Sequence, residues 1–377
     1  MKKILLCLLL LLPIKINALD LAKTSKSAIM IEASTGKVIF EKDADLKLPP
    51  ASMTKIMTML LTMEAIDDKI IKLDDIVTVS EKASSMGGSQ ILLETGEQMK
   101  VEDLLKGVAV ASGNDAAVAL AEFIAGSVDE FVNMMNKRSK ELGLTNTHFV
   151  NPHGLDKTDH YSSARDMSIM ARELVKHKKI LEYTSIYETY LRENLDTKIW
   201  LVNTNKLVRF YKGVDGLKTG FTNTAKYCLT ATAMKNNMRL ITVIMGSDTP
   251  QIRNAETTEM LDYGFSQYRL DTVILDNQIL GKIKINNGVD QTSNVVPMKN
   301  VTFLKKKNEK RENVTYKLKL KNVKAPIKVG DKVGVAYIYK NNKKIKEINL
   351  TVDKNNNKIN LLQLYIRNLN NLLTGMI

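Results

Sequence analysis

The spacing of apolar residues changes once along this chain, near Arg269, and the change limits what each part can become. Upstream, residues 101–111, 116–125, 130–142 and 164–177 carry apolar side chains three or four positions apart, the period of a helix with one buried face. Among them stand alternating stretches: a hairpin over 28–40 turning at Gly36, a short strand at 76–80, and a strand pair over 227–234 and 239–245 joined by Asn236-Asn237. A helix over 253–265 closes this region. Downstream, alternating segments such as 282–285, 316–320 and 333–339 lie between polar turns, which predicts a small all-β module of roughly 85 residues. A chain of 377 residues is long enough for both a mixed α+β domain and that module.

In the first region the stretch Pro49-Pro50-Ala51-Ser52-Met53-Thr54-Lys55 carries the clearest chemistry. Two prolines hold the entry extended, and Ile56, Leu60 and Met63 then recur at helical spacing, so a helix starts near Ser52. Residues three apart share a helix face, which brings the Lys55 amine to the Ser52 hydroxyl. A serine needs a base to become a nucleophile. A lysine desolvated in a cleft, or set beside another cation, has a lowered pKa and serves as that base while neutral. The helix N-terminus, with unpaired N–H groups, suits an oxyanion on the attacked carbonyl. Ser34-Thr35-Gly36-Lys37 repeats the spacing, but inside the expected hairpin turn. The plain structural alternative for Ser52 is a capping serine beside a solvated lysine.

Two further tripeptides matter in combination. Ser112-Gly113-Asn114 interrupts the helical runs with residues that break a helix and bond their own backbone, a turn able to aim a hydroxyl and an amide into a cleft. Lys218-Thr219-Gly220 precedes the strand pair and belongs on or near an adjoining strand, offering a cation, a hydroxyl and a place where a ligand can approach the backbone closely. Each alone also fits a simple connector, or a solvated lysine beside a turn glycine.

The two ends carry the address. Lys2-Lys3, the apolar run from Ile4 to Leu12, Pro13 and the small residue Ala18 read as a secretory signal over 1–18, too short to span a bilayer as a mature helix. Its loss removes Lys2, Lys3 and Lys15 and no acidic residue, which brings the net charge from +14 down to +11. A basic exported protein is drawn to anionic lipid head groups and wall polymers; no nucleic-acid partner is expected. Only Cys228 then remains, so no internal disulfide forms, and four scattered histidines offer no metal-ligand spacing; no metal or cofactor is expected. At the other end a polar Lys-Asn run resembling a linker leads into Leu362, Tyr365, Ile366, Leu369, Leu372, Leu373 and Met376, opposed by Gln363, Arg367, Asn368 and Asn371. That stripe predicts an amphipathic helix over 356–377 lying in a membrane interface.

Ser52-x-x-Lys55, Ser112-x-Asn114 and Lys218-Thr219-Gly220, in this order, are the three elements of penicillin-binding proteins and serine β-lactamases, with glycine in the middle of the second. With Gly87-Gly88-Ser89-Gln90, Asn151-Pro152-His153-Gly154-Leu155 and Asp215-Gly216 ahead of Lys218, the chain resembles the low-molecular-mass D-alanyl-D-alanine carboxypeptidases over nearly its whole mature length. The resemblance implies an α+β serine DD-peptidase/β-lactamase-like domain over 19–268, an antiparallel sheet flanked by helices. A small all-β domain over 269–355 and the terminal amphipathic anchor follow it.

It also implies roles. Ser52 attacks the carbonyl between two terminal D-alanines of a peptidoglycan stem peptide, Lys55 takes its proton, and Ser112 relays a proton to the leaving amine. Asn114 holds the substrate amide, and Lys218, Thr219 and Arg253 bind the terminal carboxylate. The backbone N–H groups of Ser52 and Phe221, beside Gly220, form the oxyanion hole. β-Lactam antibiotics are expected as covalent inhibitors, and the outer face of the cytoplasmic membrane as the site of action. Relatives often carry histidine where Phe221 stands and an arginine near Thr204, departures that bear on substrate preference and rate. A DD-endopeptidase, a class A-like β-lactamase and a non-catalytic penicillin-binding sensor share this framework. The β-lactamase alternative lacks an evident glutamate loop to position a hydrolytic water, and turnover of defined peptides separates the rest.

Overall fold

The computed structural model describes residues 20–311 and 313–373; the expected signal over 1–18, and Met376 of the terminal stripe, lie outside the described residues. The described residues form two compact units, the first comprising 20–31, 38–234 and 240–264, the second 32–37, 235–239 and the chain from Phe265 onward.

Five strands form one sheet: β1 (Ser27–Glu32), β2 (Val38–Lys42), β3 (Val214–Thr222), β4 (Lys226–Lys235) and β5 (Met238–Ser247), in the order β2-β1-β5-β4-β3. β1 and β2 are antiparallel around Ser34-Thr35-Gly36-Lys37, where Gly36 has φ 70° and the Ser34 hydroxyl donates to Glu32, so this copy of the serine–lysine spacing is a turn. β4 and β5 read as alternating in sequence but are buried along nearly their whole length. Small and β-branched residues such as Ala231, Ala233, Thr242 and Val243 let both faces be covered. β3 lies at the sheet edge and pairs antiparallel with β4, placing Lys218 opposite Thr230 and Phe221 opposite Tyr227.

Helix α1 (Lys55–Asp67) is buried on every side from Lys55 to Met63, not along one stripe as its apolar spacing suggested. Met57, Met59, Leu60 and Met63 are all but fully buried, and each contributes about 2 kcal/mol by leaving water. Its polar positions are satisfied internally: the Thr58 hydroxyl donates to the Pro152 carbonyl at 2.6 Å and the Thr62 hydroxyl to the Thr58 carbonyl at 2.8 Å. Packed against α1 are α2 (Asn114–Ala125) and α3 (Ala164–Leu174). The helical run expected over 101–111 is α-helical at Val101–Lys106, widens to a π-helix at Gly107–Ala111 and stops at Ser112, which takes a left-handed φ of 65°. Helix α4 (Pro250–Gln267) starts earlier than expected, with proline in its first turn and the Thr249 hydroxyl accepting from the Ile252 N–H.

The second unit is all β apart from its terminal helix. A six-stranded sheet and the antiparallel pair Tyr268–Ile274 and Val301–Lys306 enclose a core that includes Ile283, Val295, Ile338 and Leu350. The polar run before the terminal helix is fastened to this unit, contrary to a free linker. Asn356 is buried, donates to the Asp290 carbonyl and accepts from the Asp290 N–H, while the Ile359 N–H donates to the Asn287 carbonyl. Helix α5 (Leu361–Leu373) follows, with Arg367 donating to the Gly288 and Val289 carbonyls and Leu361, Leu362, Tyr365, Ile366, Leu369 and Leu372 exposed. Among the described residues no helix is long and apolar enough to cross a membrane.

A loop around His160 ties the start of α1 in place. Its Nδ1 accepts from the Val150 N–H at 3.0 Å, so Nε2 carries the proton and donates to Thr54 Oγ1 at 2.8 Å. Protonating Nδ1 would set two donors against each other, and burial, the largest cause, pushes the pKa down from 6.5 to about 4. A group whose folded pKa is depressed stabilises the fold fully above its unfolded value and ceases to do so as pH falls through the folded one. His160 should therefore cost the fold about 3 kcal/mol between pH 6.5 and about 4. Urea unfolding at about pH 7 and about pH 5 checks this: His160→Gln should lose stability at the higher pH but show a shallower decline between the two.

Candidate active site

Ser52 lies in a 3₁₀ turn, Ala51–Thr54, that runs directly into α1. Neither helical start is capped by a side chain, so the Ser52 hydroxyl is not spent as a cap. Ala51 holds a left-handed φ of 47° while fully buried, a strained conformation that its surroundings must impose. Two glycines from distant parts of the chain impose it. A Cβ on Gly154 would stand 1.9 Å from the Ala51 carbonyl oxygen, and one on Gly220 would stand 2.7 Å from the Pro50 carbonyl oxygen. Gly220 thus admits the protein's own serine turn, a use additional to the close approach of a ligand to the backbone that the sequence suggested.

Lys55 is the hub. Its amine is fully buried and lies 3.0 Å from Ser52 Oγ, 2.6 Å from Asn114 Oδ1 and 2.7 Å from the His153 carbonyl. Burial pushes its pKa well below 10.5, the charge on Lys218 pushes the same way, and Asp115 opposes them. A neutral amine has two N–H donors and one lone pair. In that form Asn114 Oδ1 and the His153 carbonyl, the two nearer acceptors, would take the donors and leave the lone pair to the Ser52 O–H, whereas the charged amine donates to all three. The geometry is that of a general base poised on a nucleophile.

Ser112 ends the π-helix, and its buried Oγ has no hydrogen-bond partner among the described residues. Asn114, two residues on, gives Oδ1 to Lys55 and donates from Nδ2 to the Gly87 carbonyl at 2.7 Å, so both ends of its amide are engaged. The Asn114 N–H donates to the Ser89 carbonyl, while the carboxylate of Asp115 accepts from the N–H groups of Ile91 and Leu93. The start of α2 therefore fastens the loop that carries Gly87-Gly88-Ser89-Gln90. In sequence Asp115 carries no sign of this role, since an acidic residue at a helix start is ordinary.

The opposite wall is β3 with the start of α4. An open cleft of about 540 Å³ is lined by Ser52, Ser112, Thr204, Thr219, Phe221 and Arg253 among others, and by no aspartate or glutamate. Thr219 Oγ1 lies 2.8 Å from Thr204 Oγ1. Lys218 is not among the lining residues: it shares the face of β3 on which Gly220 meets the serine turn, and its buried amine donates to the Thr219 carbonyl at 3.1 Å and is brought to about 7 by burial and the nearby Arg253 charge. Arg253, only 5% exposed, donates to the neutral Asn254 amide and is pushed down to about 10, chiefly by burial. Neither cation has a carboxylate partner among the described residues, and a buried cation lacking one is a site for an anion from outside. Phe221 is half exposed and packs on Tyr227, with ring centroids 4.4 Å apart.

All nine residues singled out in sequence are thus gathered in the first unit, around one cleft. Those missed there are the supports: Thr54 with His160, Gly154 against Ala51, Asp115, and the segment carrying Thr204. The Asn-Pro-His-Gly run around Gly154 and the departure near Thr204 are the signals in sequence that point toward any of them.

Comparison with known proteins gives a consistent result. The family model of D-alanyl-D-alanine carboxypeptidase, peptidase S11, matches residues 15–249, and that of the penicillin-binding protein 5 C-terminal domain matches residues 268–358. The chain is 53% identical to the D-alanyl-D-alanine carboxypeptidase DacF of Bacillus subtilis, over 87% of this chain and 85% of the relative. It is 37% identical to DacC of Escherichia coli, over 88% and 84%. The crystal structure of penicillin-binding protein 5 from Haemophilus influenzae superposes with a TM-score of 0.70 at 32% identity, covering 89% of this chain and 98% of that one.

The glycine contact at the serine turn can be tested directly. Gly154→Ala must either abandon its φ of 93° or push the Ala51 carbonyl aside. Its reaction with an activated acyl ester should slow on the order of a hundredfold, as expected for a nucleophile displaced by about an ångström. Stopped-flow acylation, with a melting curve to confirm folding, checks it.

Proposed function

The chain belongs to the peptidase S11 family of D-alanyl-D-alanine carboxypeptidases, and from that premise we propose that it removes the terminal D-alanine from peptidoglycan stem peptides through an acyl-enzyme on Ser52. The observation that carries this reading is the buried Lys55 amine, held by two neutral acceptors with Ser52 Oγ as its third neighbour. Ser52 Oγ bonds to the carbonyl carbon of the penultimate D-alanine as its proton passes to Lys55 Nζ. The Ser52 and Phe221 N–H groups receive the oxyanion. Collapse breaks the C–N bond, with the proton delivered to the leaving amine through Ser112, whose hydroxyl has no partner among the described residues. Water then attacks the ester, Lys55 again accepting a proton, and the shortened peptide leaves.

Arg253 and Thr219 bind the carboxylate of the departing D-alanine, with the charge of Lys218 behind them. That the cleft holds buried cations and no acidic lining residue supports this assignment. Asn114 orients Lys55 through Oδ1 and, with one Nδ2–H given to the Gly87 carbonyl, keeps its second N–H for the substrate amide. We further assign residues 1–18 to export and α5 to the membrane interface, where its exposed leucines, Ile366 and Tyr365 would enter the lipid boundary. The protein then acts on the outer face of the cytoplasmic membrane.

Penicillins present a strained amide and a carboxylate to the same groups. Intact mass spectrometry should find a long-lived adduct on the wild type, because no carboxylate in the cleft activates water against it. Ser52→Ala should carry none, and Lys55→Ala should acylate about 10²–10⁴-fold more slowly. Rapid turnover of penicillin by the wild type would instead indicate a β-lactamase.

The membrane assignment has its own check. Asn356 and Ile359 are packed into the β unit, so a truncation that keeps the sheet whole ends after Asn360. That protein should stay in the supernatant with anionic vesicles that pellet the mature chain, and should keep near-normal peptide turnover.

A further inference from the structure

The segment Asn203-Thr204-Asn205-Lys206-Leu207 crosses the mouth of the cleft, and its burial alternates: Asn203, Asn205 and Leu207 are buried, Thr204 and Lys206 are partly exposed. The buried amides are fully employed. Asn203 Nδ2 donates to the Thr184 carbonyl at 3.0 Å and the Ile186 carbonyl at 2.7 Å, and Asn203 Oδ1 accepts from the Asn205 N–H at 2.8 Å. Asn205 Nδ2 donates to the Gly216 carbonyl at 3.1 Å, and its Oδ1 accepts from the Leu207 N–H at 3.2 Å. A short extended segment pinned this way on one side has its other side fixed. Thr204 and Lys206 both line the cavity that contains Ser52, Thr219 and Arg253.

Thr204 bonds to Thr219, which ties the segment to β3 beside the cleft. Lys206 has no ion-pair partner among the described residues; its amine rests 5.4 Å from the centre of the Tyr187 ring, a weak contact that a carboxylate would outbid. Arg253, across the same cavity, is likewise bonded only to a neutral amide. The cleft thus offers two hydroxyls flanked by two uncompensated cations, one rigid and buried, one on a flexible stem at the rim.

We propose that Lys206 is a specificity-determining residue, swinging from Tyr187 onto the carboxylate of the leaving D-alanine to close the subsite from the side opposite Arg253. This rests on the carboxylate subsite proposed above and adds to it a second, mobile cation. Binding is drawn from the rim inward: Lys206 captures the free acid at the mouth, Thr204 and Thr219 receive it, and Arg253 completes the charge match. Substrates whose terminal carboxylate is amidated or absent forgo this contact.

The test is a ratio. Second-order constants kcat/KM are measured for an acyl-D-Ala-D-Ala free acid and for an ester of the same acyl-D-alanine whose leaving alcohol carries no carboxylate, using the wild type, Lys206→Ala and Lys206→Arg. The free-acid preference of Lys206→Ala should fall about five- to tenfold through a higher KM, the size of one charge-assisted contact. Lys206→Arg should restore most of it, and the salt dependence of the free-acid reaction should weaken in Lys206→Ala. An unchanged ratio in Lys206→Ala, or an equal loss on both substrates, overturns the role of Lys206 and leaves the carboxylate subsite standing. A wild type that shows no greater sensitivity of the free acid than of its C-terminal amide overturns the subsite itself.

Discussion

The structure depends on keeping one lysine amine out of water without giving it a carboxylate. At Lys55 the neighbours are an amide oxygen, a backbone carbonyl and a hydroxyl, all neutral, and a second buried lysine raises the cost of charge further. A carboxylate at ion-pair distance would hold the proton on the amine and silence it as a base. Asp115 is close enough to pull in that direction, but its oxygens are occupied by the N–H groups of Ile91, Leu93 and Ala116. The negative charge most able to neutralise the site is thus turned to holding a loop.

Much of the first unit can be understood as support for that arrangement. α1 is buried on all sides because its first residue must be; a helix with one wet face would hydrate Lys55. Gly154 and Gly220, about a hundred and a hundred and seventy positions from Ala51, fit against the turn that presents Ser52, and His160 secures Thr54 beside it. The strain stored at Ala51 is held by contacts made across the whole unit. Such a site has little tolerance for small changes at its supports, since a nucleophile and base function together only within tenths of an ångström.

The cleft beyond the serine follows a complementary rule. Lys218 and Arg253 are buried without carboxylate partners, which lowers stability in the empty protein and is relieved when an anion enters. Their depths differ. Lys218 acts as a buried charge felt at Lys55, Arg253 lines the cavity, and the Thr204 segment adds a further wall. In the second unit the polar run 354–360 looks in sequence like a flexible linker, yet buried Asn356 and Ile359 fasten it to the β unit, so the apolar stripe of α5 starts from a fixed point.

By itself the sequence pointed to the candidate set, because a serine and lysine three apart on a helix start share one face, and the other two tripeptides have few uses in company with that pair. It also determined the division near Arg269, since a period of two and a period of three to four cannot share one segment. Tertiary structure alone decided what those residues experience. The depth of Lys55 below water, the engagement of both ends of Asn114, the burial of Lys218, and the capture of the serine turn between two glycines arise from segments separated in sequence by tens of residues to well over a hundred. Local patterning encodes which face of an element is apolar; it carries no record of which distant carbonyl will stand against that face.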